Sequence, residues 1–361
     1  MDRRAFLKVS AAATAAGSLP WREAFASSAW RTFEATTRVE ILKPRAASRV
    51  WLPVPAVDNN DWQRVIDNSW SGNAAKGQVL SDGKYGVAML YAEWRPGEER
   101  PVLELTSRFA TRDRAVDLAR PNPRAQRLSS AEYAFYTAPT ELIPTDGIVK
   151  ETASKVVQGA KTDMEKARAI YEWTVENTYR DPKTRGCGWG DIKSMLETNY
   201  LGGKCGDLNA MFVGLARSVG VPARDIYGIR VAPSAHGYKS LGANSENISK
   251  GQHCRAEFFA QGYGWVPVDP GDVRKVILEE PPGNLPIDHD RVVAARKRLF
   301  GSWEMNWLAF NMGHDVTLAN ASGGSKLPYL MYPNGETGGE RLDQLEPDAF
   351  KYVITWREVK A

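Results

Sequence analysis

A cysteine placed between glycines and polar residues is the first feature of this chain that could do chemistry. Residues 202–212 read GGKCGDLNAMF, with Cys205 at the start of an amphipathic pattern. A helix that begins at Cys205 directs the positive end of its dipole and several unpaired backbone N–H groups at the thiol. Both favour the thiolate, and the same N–H groups could hold the oxyanion that forms when a carbonyl is attacked. We therefore predict that Cys205 is a catalytic nucleophile, the alternative being a small packing residue at a helix entry.

A thiol nucleophile needs a base, and the chain has four histidines. His253 begins a strand-like run, HCRAEFFA, which is followed by a Gln-Gly-Tyr-Gly turn and a second run, GWVPVDP. If these runs form an antiparallel hairpin that turns near residues 261–263, His253 and Asp269 become near neighbours across the ladder. Asp269 could then accept the Nδ1–H of the imidazole and fix its tautomer. Spacing alone thus predicts a Cys205–His253–Asp269 triad, on the assumption that the hairpin register is right.

The residues around these three positions resemble a known family. GGKCGDLNAMFVGLARSVGVPARDIYGIRV, HCRAEFF and YGWVPVDPGD are together similar to the transglutaminase-like superfamily of papain-related thiol enzymes, and more narrowly to its exported bacterial members described as cysteine proteases. The similarity covers about residues 145–275. It implies that Cys205 is the nucleophile, that His253 is the base and acid, and that Asp269 orients the imidazole.

Two further residues are candidate substrate contacts. Arg255 stands where the family commonly has an aromatic residue, and strand alternation puts it on the face of His253. It could clamp a carboxylate of the substrate, or pair with Glu257 on the same face, which is the interpretation we prefer. Trp189 lies in the glycine-rich loop GCGWG and could wall the cleft or donate to the oxyanion. A packing role is the simpler interpretation of Trp189.

The other two cysteines carry no predicted chemistry. Cys254 should point to the opposite strand face from His253 and be buried, and its pairing with Cys187 in a disulfide would need loop and strand to lie close together. Three cysteines and His253 are also a chemically sound set of zinc ligands. However, the chain has no CxxC spacing, and adjacent strand positions face opposite ways. No HExxH or P-loop motif occurs either, so we expect no metal and no other cofactor.

The elements that must position these residues differ between the two halves of the chain. From Thr32 to about Tyr136, short β-branched or aromatic runs separated by turn residues predict an antiparallel, sandwich-like β-domain. After residues 137–147 the pattern becomes helical, with a capping box at Thr162–Glu165, and strands return after Gly220. Helices followed by antiparallel strands indicate an α+β fold with a papain- or transglutaminase-like core, in which the Cys-led helix packs on the sheet.

These patterns suggest four segments along the chain. Residues 1–26 are an export signal, 30–140 the β-sandwich-like domain, 145–285 the transglutaminase-like catalytic domain, and 286–361 a C-terminal segment that completes a sheet. The pattern leaves open whether the last strand joins the catalytic sheet or returns to the N-terminal one.

The N-terminus resembles a twin-arginine (Tat) export signal. Arg3 and Arg4 precede a weakly apolar stretch of small residues, which ends in an A-x-A site at Ala26. Asp2 stands where Ser or Thr is commoner in the motif. We therefore expect the Tat machinery to export the chain to the periplasm or the medium. No later stretch reaches 18 apolar residues, so we expect no membrane span in the mature chain.

The net charge of the chain limits the classes of partner that it is expected to bind. A formal net charge of +4 on 361 residues is too mild to indicate nucleic acid as a partner. The expected partner is a peptide or protein substrate. The sequence predicts an exported thiol enzyme that cleaves or transfers amide acyl groups through a thioester, with peptide hydrolysis preferred. Glutamine–lysine cross-linking and a non-catalytic binding module remain the alternatives.

Overall fold

The computed structural model describes residues 29–59, 61–324 and 326–360, so the export signal expected at residues 1–26 lies outside it. Within these residues the strands are β1 (Arg31–Glu40), β2 (Ser48–Val54), β3 (Gln63–Gly72), β4 (Lys76–Ser81), β5 (Ala88–Trp94), β6 (Val102–Thr111), β7 (Arg114–Ala115), β8 (Tyr179–Arg180), β9 (Gly202–Gly203), β10 (Ala223–Arg230), β11 (Gln252–Ala260), β12 (Gly264–Val268), β13 (Ser302–Trp303), β14 (Trp307–Asn311), β15 (Asn334–Thr337), β16 (Glu340–Arg341) and β17 (Tyr352–Val359). The helices are α1 (Ser130–Thr137), α2 (Gly147–Val156), α3 (Asp163–Asn177), α4 (Ile192–Glu197), α5 (Cys205–Ser218), α6 (Pro270–Glu279), α7 (Asp290–Arg298) and α8 (Pro347–Phe350). None of these helices combines the length and the apolar character needed to cross a bilayer.

Two antiparallel sheets form the N-terminal part of the fold. One has the strand order β17-β1-β6-β3 and the other β16-β15-β2-β5-β4. Apolar side chains from both sheets, among them Phe33, Phe109, Leu52 and Leu90, share one buried cluster. Along β1 the buried positions Phe33 and Ala35 are separated by one half-buried residue, the alternation of a strand with one face on a core. The prediction of a sheet-rich, sandwich-like N-terminal region is confirmed.

The C-terminal strands return to both of these sheets. β17 pairs with β1 from Thr32 opposite Val359 to Val39 opposite Tyr352. β15 pairs with β2 in the second sheet. β14, in contrast, joins β10 in the sheet that carries His253. Residues 286–361 therefore contribute strands to more than one sheet, which the sequence pattern left open.

A third antiparallel sheet, with the order β12-β11-β10-β14, carries the helices of the α+β core. Helix α5 packs against β11, and all 14 of its residues are buried. A helix enclosed on all sides needs small or apolar side chains around its whole circumference, which the run of Gly, Ala, Met, Phe, Val and Leu in α5 supplies. The predicted α+β fold with a Cys-led helix on an antiparallel sheet is confirmed.

Local sequence signals explain where α3 begins and which of its faces is buried. Glu165 N donates to Thr162 Oγ1 over 3.2 Å, and Thr162 N donates to Glu165 over 2.9 Å, which closes the predicted capping box. The buried face is the one that apolar periodicity indicates: Ala167, Ile170, Tyr171, Thr174 and Val175. Four helices, α1, α6, α7 and α8, lie where the sequence patterns indicated none. Of these, α6 matters for the site, because it begins directly after Asp269.

Candidate active site

Cys205 is the first residue of α5, and only 5% of it is exposed. The first turn of the helix is closed by Asp207, whose Oδ2 accepts the Lys204 N–H over 3.0 Å. Gly206 N donates to the carbonyl of Cys187 over 2.7 Å, which fastens the loop 186–190 to the helix. Since the Gly206 N–H is engaged, the N–H of Cys205 itself is the candidate oxyanion donor at this helix end.

Two glycines allow this loop and the helix to approach each other. Gly188 has φ +88°, and a Cβ at this position would overlap the Asp207 carboxylate. A Cβ at Gly206 would lie 2.6 Å from the Cys187 carbonyl oxygen. Asp207 Oδ1 then accepts the Gly190 N–H over 2.9 Å. The glycines around Cys205 therefore serve close packing of protein on protein.

His253 and Asp269 are in contact, as the spacing predicts, but they are not partners in the β11–β12 ladder. The β11–β12 register pairs Ala256 with Val268, and β12 ends there. Asp269 follows as the N-cap of α6, and its Oδ2 lies 2.8 Å from His253 Nε2. The expected contact at Nδ1 is thus wrong, since the carboxylate approaches from beyond the strand end and meets the far ring nitrogen. Nδ1 remains as the ring atom that could take a proton from a thiol.

A buried polar network holds Asp269 in this orientation. Its Oδ1 accepts the Asp272 N–H over 3.0 Å and lies 3.3 Å from Asn209 Nδ2. Asn209 also donates to the Cys254 carbonyl over 2.7 Å, which ties α5 to β11. Asp272 accepts in turn from Arg230 Nη2 over 2.5 Å.

Sequence reasoning did not assign Asp272 or Arg230 to the site. One available signal is the run Asp269-Pro-Gly-Asp272, which has the N-cap, first-position proline and acidic first turn of a helix start. This pattern indicates that the Asp269 side chain turns back onto its own helix. It could not indicate that Arg230 lies opposite Asp272, because that contact spans 42 residues.

The charges around His253 favour its protonated form. Burial, the largest influence, and Arg230 both lower the pKa of His253, but Asp272 and Asp269 outweigh them and leave it raised. Burial and the neighbouring Asp272 raise the pKa of Asp269. Burial raises the pKa of Asp272, but the positive charges of Arg230 and His253 outweigh burial and leave this pKa lowered. An imidazolium at His253 would therefore face negative charge, which is the condition for an acid that donates to a leaving amine.

Cys205 and His253 line the same cavity, whose volume is about 300 Å³. Its wall also contains Lys250 and Glu346, which are exposed, so the cavity reaches the surface. Tyr352, at the start of β17, closes another side. A cavity of this size can hold about one or two amino-acid side chains beside a scissile amide.

Arg255 does not reach this cavity, and neither of its expected roles is found. Its side chain is 2% exposed, its Nη1 donates to the Glu304 carbonyl over 2.8 Å, and its Nε lies 3.6 Å from Asp269 Oδ2. The guanidinium lies 4.8 Å from the ring centre of Trp307, and burial lowers its pKa to about 10. Glu257 pairs instead with Arg114 and Arg224. Strand alternation placed Arg255 correctly on the face of His253, but at its position the guanidinium packs against Trp303 and Trp307.

Trp189 is 65% exposed, so the packing role that the sequence favoured is wrong. It does not line the cavity of Cys205 and His253. It borders a separate cleft of only about 10 Å³, together with Gly206 and His314. Trp189 therefore lies at the surface and borders a different cleft from the cavity that Cys205 and His253 share.

The three cysteines are buried, free thiols that lie near one another. Cys187 Sγ also lies 3.3 Å from the Gln252 carbonyl, and the neighbouring thiols of Cys205 and Cys254 hold the pKa of Cys187 well below its ordinary value. The disulfide considered between Cys187 and Cys254 is not formed. Among the described residues, the side chains close enough to share one ion are His253, Asp269 and Asp272, a different set from the zinc ligands considered above. These three residues are held by hydrogen bonds and by Arg230.

Comparison with known proteins identifies relatives of this chain. Residues 150–270 match the family model of the transglutaminase-like superfamily. A protein of Haemophilus influenzae, described as uncharacterized, is 36% identical over 335 residues, which cover 89% of each chain.

Among solved structures, one with a TM-score above 0.5 extends the similarity to the fold. A "Putative Cysteine Protease" from Cytophaga hutchinsonii superposes with a TM-score of 0.56 at 12% identity, over 93% of each chain. The periplasmic domain of TgpA from Pseudomonas aeruginosa gives a TM-score of 0.35 at 12% identity, over 74% of this chain and 92% of that one. At 12% identity, the first of these likenesses shows a common fold.

Proposed function

Because this chain belongs to the transglutaminase-like superfamily, we propose that it is an exported thiol enzyme that hydrolyses amide bonds of peptides through Cys205, His253 and Asp269. One observation carries the proposal: His253, bonded to a buried Asp269 over 2.8 Å, lines the same cavity as a cysteine at a helix start. A catalytic cysteine needs this combination of a positive helix end, a positioned base and room for a carbonyl.

The geometry supports the following sequence of steps. The Cys205 thiol loses its proton to His253 Nδ1, and the sulfur attacks the substrate carbonyl carbon. The tetrahedral oxyanion is stabilised at the N-terminus of α5 and collapses to a thioester, while the imidazolium donates its proton to the departing amine. A water then gives a proton to His253 and attacks the thioester, which releases the acid and restores the thiol. Asp269 stabilises the imidazolium throughout from the Nε2 side.

Export rests on residues 1–26 alone. The twin arginine, the stretch of small residues and the A-x-A site support a Tat signal and a periplasmic or secreted mature enzyme.

The test is the rate of iodoacetamide alkylation of Cys205 as a function of pH, with the modified cysteines identified by mass spectrometry. A Cys187→Ala background keeps the neighbouring cavity thiol out of the measurement. We expect Cys205 to react far below about pH 8.5, where a free thiol ionises, and His253→Ala to slow the reaction at about pH 6 on the order of 100-fold. Asp269→Asn should have a smaller effect in the same direction.

His236→Ala is the matched control, because it removes an imidazole from an exposed loop. It should leave the pH profile of alkylation unchanged. If Cys205 reacts like a free thiol and ignores His253→Ala, the triad is not assembled, and the chain is a binding module. If Cys205 is activated, a peptide library with and without a primary amine separates hydrolysis from transamidation through the products.

A further inference from the structure

Basic side chains dominate the wall of the cavity that contains Cys205 and His253. The five are Arg180, Lys204, Arg230, Lys250 and Lys275. Among the described residues of the wall, the acidic one is Glu346. Asp269 and Asp272 lie behind His253, where they face Arg230 and Arg255. The cavity therefore presents more positive than negative charge to whatever enters it.

Some of these cations have partners within the protein. Arg230 pairs with Asp272 over 2.5 Å, whereas Arg180 and Lys275 share the single carboxylate of Glu279. Glu346 lies 3.2 Å from Arg185, outside the cavity wall. For Lys204 and Lys250, no ion pair occurs with any residue in the described part of the chain. The charge of Asp181 acts on Lys204 from outside the cavity wall, but neither lysine has a carboxylate of the described residues at ion-pair distance, so the excess positive charge resides mainly on these two lysines.

The two lysines flank the proposed chemistry. Lys204 immediately precedes Cys205, and Lys250 lies three residues before His253, at the exposed edge of the cavity. Within about 300 Å³, an anion held by these lysines lies within a residue or two of the carbonyl that Cys205 would attack. A neutral peptide gains nothing from this charge, whereas a carboxylate gains charge-assisted hydrogen bonds.

We propose that this cavity selects substrates that carry a carboxylate next to the scissile amide, and that Lys204 and Lys250 recognise it. The inference rests on the proposed function, because it assumes that Cys205 attacks the substrate. The carboxylate can be the α-carboxylate of a chain end or an acidic side chain. Arg255, which the sequence suggested for such a clamp, is buried away from the cavity and has no part in it.

Two alkylating reagents that differ in charge test this directly. Iodoacetate and iodoacetamide transfer the same carbon to sulfur with loss of iodide, but only iodoacetate carries a carboxylate. The measured quantity is the ratio of the two rate constants at Cys205 in the Cys187→Ala protein, divided by the same ratio for N-acetylcysteine amide. We expect a value of roughly ten or more, which falls as salt rises from about 0.1 M to about 1 M because the attraction is screened.

Charge-neutralising variants assign the effect to residues. Lys204→Gln and Lys250→Gln should each lower the normalised ratio roughly three- to fivefold. Lys193→Gln, which removes a lysine from the exposed face of α4, should not change it. A ratio near one, or one that the two cavity variants leave unchanged, overturns the carboxylate inference. A Cys205 that reacts with neither reagent faster than the small thiol overturns the proposed function instead.

Peptides then identify the source of the carboxylate. Cleavage is compared among a peptide with a free C-terminus, its C-terminal amide, and versions with Glu or Gln beside the scissile bond. Loss of cleavage on amidation assigns the site to a chain end, and loss on Glu→Gln replacement assigns it to an acidic side chain. Equal cleavage of all four peptides overturns the inference while leaving the hydrolase intact.

Discussion

The carboxylate of Asp269 has two separate functions, one for each oxygen. Oδ1 accepts the Asp272 N–H and so starts α6, while Oδ2 accepts from His253. Because the side chain is fixed by its own helix, the imidazole meets a partner that cannot rotate away. A residue that caps a helix and orients a base in this way links the local folding of α6 to the chemistry of the site.

A second buried carboxylate, Asp225, lies away from the cavity and gives a prediction about stability. Neither of its oxygens has a hydrogen-bond partner within the described residues, and His314 Nε2 lies 3.5 Å away. Burial, only partly offset by the charge of Arg217, raises the pKa of Asp225 to about 7. In the folded state Asp225 therefore keeps its proton up to about pH 7, whereas in the unfolded state it releases it above its ordinary pKa of about 3.9. The free energy of unfolding consequently falls as the pH rises from about 3.9 to about 7.

Asp225→Asn should remove this pH dependence. Between pH 5 and pH 8, Asp225 should lower the free energy of unfolding of the unsubstituted protein by about 3 kcal/mol, and the variant should not show this loss. Urea unfolding at both pH values measures this difference. Parallel pH dependence in the two proteins would show that Asp225 holds no proton near neutrality.

At the scale of elements, the junction between the loop 186–190 and α5 determines where Cys205 lies. The loop donates Gly190 N–H to Asp207, and the helix donates Gly206 N–H to Cys187. Both donors are backbone N–H groups of glycines, and the acceptors are the Asp207 carboxylate and the Cys187 carbonyl, so the junction depends on close approach of the two segments and on Asp207. The absence of a Cβ at Gly188 is what makes the approach possible.

Gly188→Ala should therefore destabilise the folded protein. Both its left-handed conformation and the overlap with Asp207 oppose a side chain, and we expect a loss of about 3 kcal/mol or more in the free energy of unfolding. Gly237→Ala is the matched control, because Gly237 has φ +76° and open space around its Cα. Gly237→Ala should lower the free energy of unfolding by only about 1 kcal/mol, the cost of a left-handed backbone conformation for a residue with a Cβ.

Chemical denaturation gives both values, and iodoacetamide alkylation shows whether the helix start has moved. Slower alkylation of Cys205 in Gly188→Ala, but not in Gly237→Ala, is the expected result. Equal losses of stability in the two variants would mean that the junction tolerates a side chain.

At the scale of the whole molecule, the C-terminal segment joins the catalytic core to the N-terminal sheets. β17 extends the sheet of β1, while Tyr352 at its start and Pro347 of α8 line the cavity. Phe350, between them, is 2% exposed and packs its ring against Gly335 of β15. The cavity wall and the N-terminal sheets are therefore built from the same short stretch of chain.

Phe350→Ala tests this connection. Deleting a fully buried ring should lower the free energy of unfolding by about 3–5 kcal/mol, because the cavity left behind adds to the lost transfer energy. Val353→Ala, on the same stretch but 38% exposed, should cost less than about 1 kcal/mol. Thermal and urea unfolding provide the comparison. Similar small losses in both variants would mean that the segment is only loosely attached.

The sequence by itself determined the features that depend on neighbouring residues. The start of α5 at Cys205, the capping box of α3 and its buried face follow from hydrogen bonds and side-chain spacing within a few positions. The turn between β11 and β12 is equally local, and it brings His253 near Asp269 even though Asp269 lies beyond the ladder.

Tertiary structure alone decided which side chains are buried and which charges meet. Packing by tryptophans buried Arg255, and the approach of Asp269 from α6 selected Nε2. The closure of a basic cavity by Tyr352 depends on β17 pairing with a strand more than 300 positions earlier. Backbone geometry confines a residue's near neighbours to few arrangements, whereas contacts between distant segments are chosen by the burial of whole surfaces, which no short pattern encodes.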